Sequence, residues 1–519
     1  MEKWAVRAMP GTVAVCLGLS VWCGGCSSGV TSGSGGSSGG GGTPDPGSSM
    51  LAKATFDAGD VDHLLLRTQF GVTTGARDSA ASLGVPAFID AMLNVPAVGS
   101  TAAESEAAQL LVNAGDPPGL EGKFPSGSDV AEWWLYLMMR SQTPFQERLA
   151  LFWHDHFAVA TSVLNSQERH WMVNHVNVLR GQGLGNFRDL LITLSRDEAM
   201  LEWLDGDVNV KGEPNENFAR EFLELFTVGA DNGYTEADIQ EASRAFTGYR
   251  NRLDVTTGLR YMEFDPDRKD IFAKVVFGQI LTGNGETADD FDVMADLTMA
   301  TLDVATWLAE KLLLEFVTDA PTTAQIANLA AVIAQHGFEI RPVLRTLFLS
   351  EAFYSARGTM VRSPVDFAVG FIRSTGLQIS PGTLRRELAA VAQLPSQPPS
   401  VFGWPQGPEW LAADGMVERA NLARRVIADR TYQSSNGFGV TLPAGTPDAA
   451  EVVDHYDDLL GVGLAAAERS TLITYLNSSV QAGPIAVPDP FDPTESRHVD
   501  ERVRGLLYIL ANHPGFLAR

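Results

Sequence analysis

The sixteen residues from Pro214 to Gly229, Pro-Asn-Glu-Asn-Phe-Ala-Arg-Glu-Phe-Leu-Glu-Leu-Phe-Thr-Val-Gly, constrain the fold more than any other stretch of the chain. At the helical repeat, Phe218, Phe222 and Leu225 share one side and Phe226 lies beside it. Asn217, Glu221 and Glu224 share another. Arg220 is four residues from both Glu216 and Glu224 and can pair with either. Gly229 supplies the left-handed residue that ends a helix. The spacing predicts one helix over 214–229, buried on its aromatic side, with Asn215, Glu216 and Asn217 forming a structural polar network at its start.

The same periodicity recurs to the end of the chain. Asp60 starts a helix, and Ser82 or Val85-Pro86 opens the next. Thr143-Pro144-Phe145-Gln146 and Ser195-Arg196-Asp197-Glu198 have the spacing of capping boxes. Thr235 opens a helix that runs through Arg244 and stops near Gly248. Helical spacing also marks residues 302–317, 322–336, 342–352, 364–376, 383–394, 416–430, 449–461, 465–477 and 499–512. Strand patterns are confined to 255–264 and 274–277, which suggest a small hairpin between helices. The expected fold is mainly α, a large multi-helix body over 55–519 with at most a small β-hairpin. The Pro-rich segment 395–408 reads as a long ordered loop or a seam.

All three cysteines, Cys16, Cys23 and Cys26, lie within the first 26 residues, so no disulfide or thiolate metal site can form in the body. Lys3 and Arg7 precede an apolar run from Ala8 to Trp22 that is too short to span a bilayer, the pattern of an export signal over residues 1–25. Gly24-Gly25-Cys26 resembles a lipobox, with Cys26 as the residue to be lipidated, although Cys23 stands where a leucine-like residue is usual. Residues 26–54 are rich in Ser and Gly and read as a flexible tether, with a reach of about 25–30 Å. Ser27 rather than aspartate follows Cys26. The expected location is therefore the outer membrane or cell surface, with the membrane engaged through the N-terminal lipid. The formal charge of −25 leaves no basic surface for nucleic acid.

Phe152-Trp153-His154-Asp155-His156-Phe157 carries the densest group of metal-ligating residue types. On a helix its two histidines point about 200° apart and cannot chelate one ion. His156 then joins Phe145, Leu149 and Phe152, and His154 joins Glu147 and Leu151. On a strand both imidazoles would share a face. The structural reading gives one histidine a hydrogen bond in the core and the other a carboxylate partner. The functional reading has His154 or His156 meet Glu221 or Glu224 across a helix interface as base or ligand, with Arg220 as the orienting cation. On that reading His154, His156, Glu221 and Glu224 form a metal set, and a divalent metal is the candidate cofactor. Residues 204–211 have the flavour of a calcium loop but lack its spacing and terminal glutamate. Trp404 and Trp410, in a Gly/Pro loop, can stack on a sugar or pin the loop to the core. No nucleophile elbow, phosphate loop, dinucleotide fingerprint or His-Glu-x-x-His is present.

Taken together, these stretches resemble the bacterial domain-of-unknown-function family numbered 1800. The matching segments are His63–Gly71, Thr143–Arg148, Leu151–Phe157, Gly185–Leu191, Pro214–Thr227, Tyr234 to Glu236, Arg244–Gly248, Lys311 to Val317, Ser363–Phe367 and Gly403–Pro405. The resemblance implies a helical, exported protein whose genes often neighbour those of sulfatase-like exported proteins, and it brings no established activity. Lys269-Asp270 stands where similar proteins have His-Asp, so a histidine that could serve as ligand or base is replaced by a cation. Two functions are therefore expected. One is an acidic–histidine site, metal-assisted, acting on an envelope or extracellular polymer. The other is a non-catalytic scaffold or maturation partner of an exported sulfatase-like hydrolase.

Overall fold

Apolar residues at three- and four-residue spacing fold as helices almost throughout the computed structural model, which describes residues 46–281, 290–428, 440, 442–480 and 486–519. Cys16, Cys23 and Cys26, and the signal and lipidation readings that rest on them, lie outside the described residues. Among the described residues, 23 α-helices and three two-stranded antiparallel sheets make the body mainly α.

The helix at the centre of the packing is Pro144–His156. Every residue in it is buried except Asp155. In a helix buried on all sides the charged and amide groups need partners, and Gln146, Glu147 and Arg148 have them. Gln146 donates to the carbonyls of Pro96 and Arg180 at 3.2 and 3.3 Å. Glu147 accepts from Trp134 Nε1 and from Arg180, which also pairs with Glu104 at 2.7 Å. Arg148 pairs with Glu315 at 2.7 Å and with Asp366. Around these groups, Phe145 packs on Phe316 and Phe348, and Trp153 stacks on Phe187. Trp153 Nε1 donates to the carbonyl of Gly183 at 2.9 Å. A Cβ at Gly183 would sit 2.7 Å from the same indole, so the close approach requires glycine.

The 214–229 segment is helical but begins at Asn217 and changes pitch. Asn217–Glu221 is α, and Phe222–Thr227 is a π turn with Val228 N donating to Leu223 O at 3.0 Å. Phe218, Phe222 and Phe226 are buried as expected. Leu225 is only half-buried, and Leu223 is fully buried in its place. The wider turn brings residue i+4 over Phe222 and carries i+3 away from it.

Caps and hairpins differ from expectation in instructive ways. Thr143 makes no side-chain cap: Gln146 N donates to the Thr143 carbonyl at 3.0 Å, and Gln146 Nε2 is spent on the carbonyls of Pro96 and Arg180. Ser195 ends the Phe187–Ser195 helix, and it is Asp197 that caps the next one, accepting from Met200 N at 3.0 Å. Thr235 opens its helix as expected, and does so through a capping box in which Asp238 returns the bond. Residues 260–264 do not pair with 274–276. They pair with Tyr249–Leu253, and Lys274–Val276 pairs with Gln279–Leu281. Tight sequence-local turns close both hairpins at low entropic cost. The last residues of the stretch read as tether are packed onto the body. Lys53 N donates to Leu349 O at 2.8 Å, and Gln325 and Asn328 donate to the carbonyls of Gly47 and Ser48.

Candidate active site around Asp155

Asp155, the central residue of the His-Asp-His triplet, lies where two small cavities meet. One, of about 60 Å³, is lined by Arg148, Glu315, Asp319, Asp366, Gln393, Trp404, Trp410 and Arg519 among others. The second, of about 30 Å³, is lined by His156, Leu225, Lys311, Val401 and Phe402. Phe152, Asp155 and Gln406 belong to both. At about 10–15 Å³ for each water, the larger cavity admits a group the size of four to six waters.

The 401–411 loop closes this site by bonding to Asp155. The carboxylate accepts from Trp404 N at 2.7 Å and from Gln406 Nε2 at 2.9 Å. Gly403 has φ of 79°, and a Cβ there would collide with the same carboxylate. Trp404 and Trp410 are buried, so both tryptophans pin the loop, and Phe402 stands 74% exposed at the mouth of the smaller cavity.

The charges around Asp155 are unevenly matched. Arg148 bridges Glu315 and Asp366, and Arg519 meets Asp366 at 2.9 Å. Asp319 accepts Val361 N at 2.9 Å. Lys311 lies over the Trp307 ring at 4.5 Å and faces Asp155 and His156 across the smaller cavity. Burial raises the carboxyls of Asp155, Glu315 and Asp319 and lowers the Lys311 ammonium. Burial, reinforced by Lys311, takes His156 down to about 3, so it is neutral at physiological pH. Burial thus favours the uncharged form both of these carboxyls and of the amine that faces Asp155, the pairing from which acid–base sites are built.

The histidines and glutamates expected to act together are not brought together. His154 and His156 are on one helix and face different ways, as the helical reading requires. His156 Nε2 bonds to the carbonyl of Phe226 at 3.0 Å. His154 is enclosed by Trp134, His175 and Trp404. Arg220 pairs with Glu216 at 3.4 Å and Glu224 at 3.2 Å, as its spacing predicts, and with Glu236 at 2.8 Å. That network is partly open to solvent. Glu221 is half-buried beside Glu224 and has no ion pair among the described residues. The expected metal set of His154, His156, Glu221 and Glu224 therefore does not assemble. No group of three or more His, Cys, Asp or Glu side chains is placed to hold an ion among the described residues. Asn215 Oδ1 accepts Asn217 N, and Asn217 Nδ2 donates to Asp205, which makes this corner a helix start held by side chains. Asn209, in the calcium-like segment, spends its amide on Ser243 O and Asn215 N, so the segment is a structural loop.

Lys269 does act as a cation. Its ammonium is buried and pairs with Asp290 at 2.8 Å, and Lys274 reaches the same carboxylate at 3.4 Å. Asp270 meanwhile pairs with Arg244 at 2.8 Å. The Lys269-Asp270 pair thus ties the second hairpin to the Glu236–Ala245 and Asp290–Thr301 helices.

Asp155, Lys311, Glu315 and Asp319 were missed as site residues because no single stretch announces them. The signal was present in scattered form. Segments 143–148, 151–157, 311–317, 363–367 and 403–405, which carry the family resemblance, all reach the two cavities. No curated protein matches the chain, and no solved structure matches it. The model of the family described as "Protein of unknown function (DUF1800)" matches residues 63–518, nearly the whole body, and the chain belongs to that family.

Proposed function

We propose that the protein is an exported, lipid-tethered enzyme that performs acid–base chemistry at Asp155 on an envelope or extracellular polymer. One observation carries this reading: five separate stretches converge on Asp155 and place a carboxyl and an amine, both moved toward neutrality by burial, across one small cavity. Lys311 serves as the base or the cation that steadies a developing negative charge, and Asp155 or Glu315 as the acid. The cavities admit a chain end or side group, so a polymer would be engaged from its terminus or branches.

The test is to incubate the purified protein with isolated envelope polymer and to follow released fragments by mass spectrometry. Lys311→Met and Asp155→Asn are expected to lose about 10²-fold or more in rate while keeping the helical circular dichroism of wild type. Full activity in both variants would overturn the assignment.

The second reading, a partner of an exported hydrolase, is favoured by one feature. Ile271 and Phe272, just ahead of the second hairpin, and Val275 and Ile280, on it and directly opposite each other, are all exposed. A wild-type protein that releases no fragments but retains a sulfatase-like hydrolase on co-purification would support this reading over the first.

The lipid anchor rests on Cys26 as acceptor. Cys26→Ala is expected to move the protein from the membrane pellet to the soluble fraction, and an unchanged distribution would exclude the anchor.

A further inference from the structure

A cavity of about 380 Å³ lies at the first turn of the Pro144–His156 helix, where Thr143, Pro144 and Phe145 help to line it. Asp155 is near the other end of that helix, about 16 Å away at the helical rise. The cavity shares no lining residue with the two that meet at Asp155. Its size is that of a small-molecule pocket. Phe88, Met92 and Phe145 are buried and give it an apolar wall, and Leu83 stands 53% exposed at its rim.

The charge in this cavity is unmatched. Arg373 lines it, half-buried, and has no ion pair among the described residues. Acids are not in short supply, with 63 of them against 38 basic residues in the chain. Arg373 Nη1 lies 3.1–3.2 Å from the carbonyls of Met138, Met139 and Ser141, at the C-terminal end of the Gly127–Arg140 helix. A helix end supplies only a partial negative charge. Arg373 Nε is enclosed and bonded to nothing, and Nη2 makes no hydrogen bond either. Those two nitrogens form one edge of the guanidinium fork, an edge suited to a carboxylate held by two parallel bonds. Burial lowers Arg373 to about 10, with Glu147 opposing the shift and Arg140 adding to it. Glu147 is itself held by Arg180 and Trp134. A cation withdrawn from water with one edge idle calls for an anion.

The neighbouring polar groups specify more than a charge. Gln69 and Gln142 also line the cavity, and neither side-chain amide has a hydrogen-bond partner among the described residues. A carboxamide donates and accepts side by side, which matches the N–H and C=O of a peptide. Gln142 lines a second cavity as well, of about 520 Å³, together with Tyr136 and Pro381. A chain anchored at Arg373 can therefore run on past Gln142.

We infer that this cavity captures the free C-terminus of a peptide whose last side chain is apolar. Arg373 takes the carboxylate, Gln69 and Gln142 pair with the adjacent amide, and Phe88, Met92 and Phe145 receive the side chain. The two amides and the one cation select this class. A fatty acid would leave the glutamines idle, and a free amino acid would bring its ammonium close to Arg373. The inference does not depend on acid–base chemistry at Asp155.

The test is isothermal titration of the purified protein with acetyl-Ala-Ala-Leu, as the free acid and as the carboxamide, and with octanoate. The free acid is expected to bind once per chain, and the carboxamide and octanoate to bind about 10-fold more weakly or worse. Arg373→Lys keeps a cation with donors for the helix-end carbonyls but removes the fork. It is expected to weaken binding of the free acid by about 10–100-fold. Gln69→Leu is expected to weaken it about 5–10-fold, and Asp155→Asn to leave it unchanged. If Arg373→Lys fails to fold, Gln69→Leu and the ratio of acid to carboxamide affinity in wild type decide. The inference is overturned if wild type does not bind the free acid, or binds the carboxamide or octanoate equally well. It is also overturned if the folded Arg373 and Gln69 variants bind like wild type, or if folded Asp155→Asn loses the peptide, which would place it in the other cavities.

Discussion

Lowering the pH from 6.5 toward 3 is expected to destabilise the protein by about 1.4 kcal/mol per pH unit through His63 alone. His63 is 2% exposed, with Nε2 held 2.9 Å from Phe353 O and its ring against Phe353 and Tyr354. Burial, with the cations of Arg67 and Arg357 nearby, lowers it to about 3. The unfolded chain therefore binds a proton between the two values that the folded chain refuses, and the contribution is complete above pH 6.5 and lost as pH falls through the window. Glu104 continues the loss at lower pH. Its burial is outweighed by hydrogen bonds from Gly99, Thr101 and Arg180, which hold it at about 2. Carboxyls raised by burial, Glu147 and Glu315 among them, act in the opposite sense. The His63 share is thus read from the difference between wild type and His63→Gln in denaturant melts at several pH values. Parallel profiles for the two proteins would mean that His63 titrates normally.

Phe222→Ala is expected to cost about 3–5 kcal/mol. Its ring is 0% exposed and packs 5.1 Å from Phe246 and 6.3 Å from Phe218. Both neighbours reach Phe291, so the cavity left behind cannot collapse without moving the Asp290–Thr301 helix. Leu225→Ala is the informative companion. In a regular α-helix it would share the buried side, and its loss would fall in the usual 2–5 kcal/mol range. In the π turn it is half-buried, and the expected cost is less than half that of Phe222→Ala. Equal costs in urea melts would show that the turn is α in solution.

These two cases show what periodicity can and cannot carry. The helices from residue 302 onward are close to where their apolar spacing put them, because a three-to-four repeat is a local property that burial then exploits. The pitch change at Phe222 was not legible, because it depends on a hydrogen bond to the fifth residue, which a hydrophobic repeat does not encode. The partner of residues 260–264 was missed for a related reason. Pairing is chosen by turn closure, and the 249–253 strand carries Arg250, Asn251 and Arg252 rather than an apolar alternation.

The candidate site was half-legible. The His-Asp-His triplet drew attention to the right helix turn and to its histidines, since imidazoles are the commoner ligands. The central aspartate faces the cavities, and the histidines take the flanks. By itself the sequence determined a helical body without cysteines, the aromatic side of 217–226 and the Arg220 ion pairs, all of which follow from spacing along one segment. Only the tertiary structure decided that Pro144–His156 is the buried centre. The same holds for Lys311 and Glu315 lying opposite Asp155, and for His175 rather than His156 facing His154. Each of those contacts joins residues far apart in the chain, and which surfaces meet is set by the packing of the whole core.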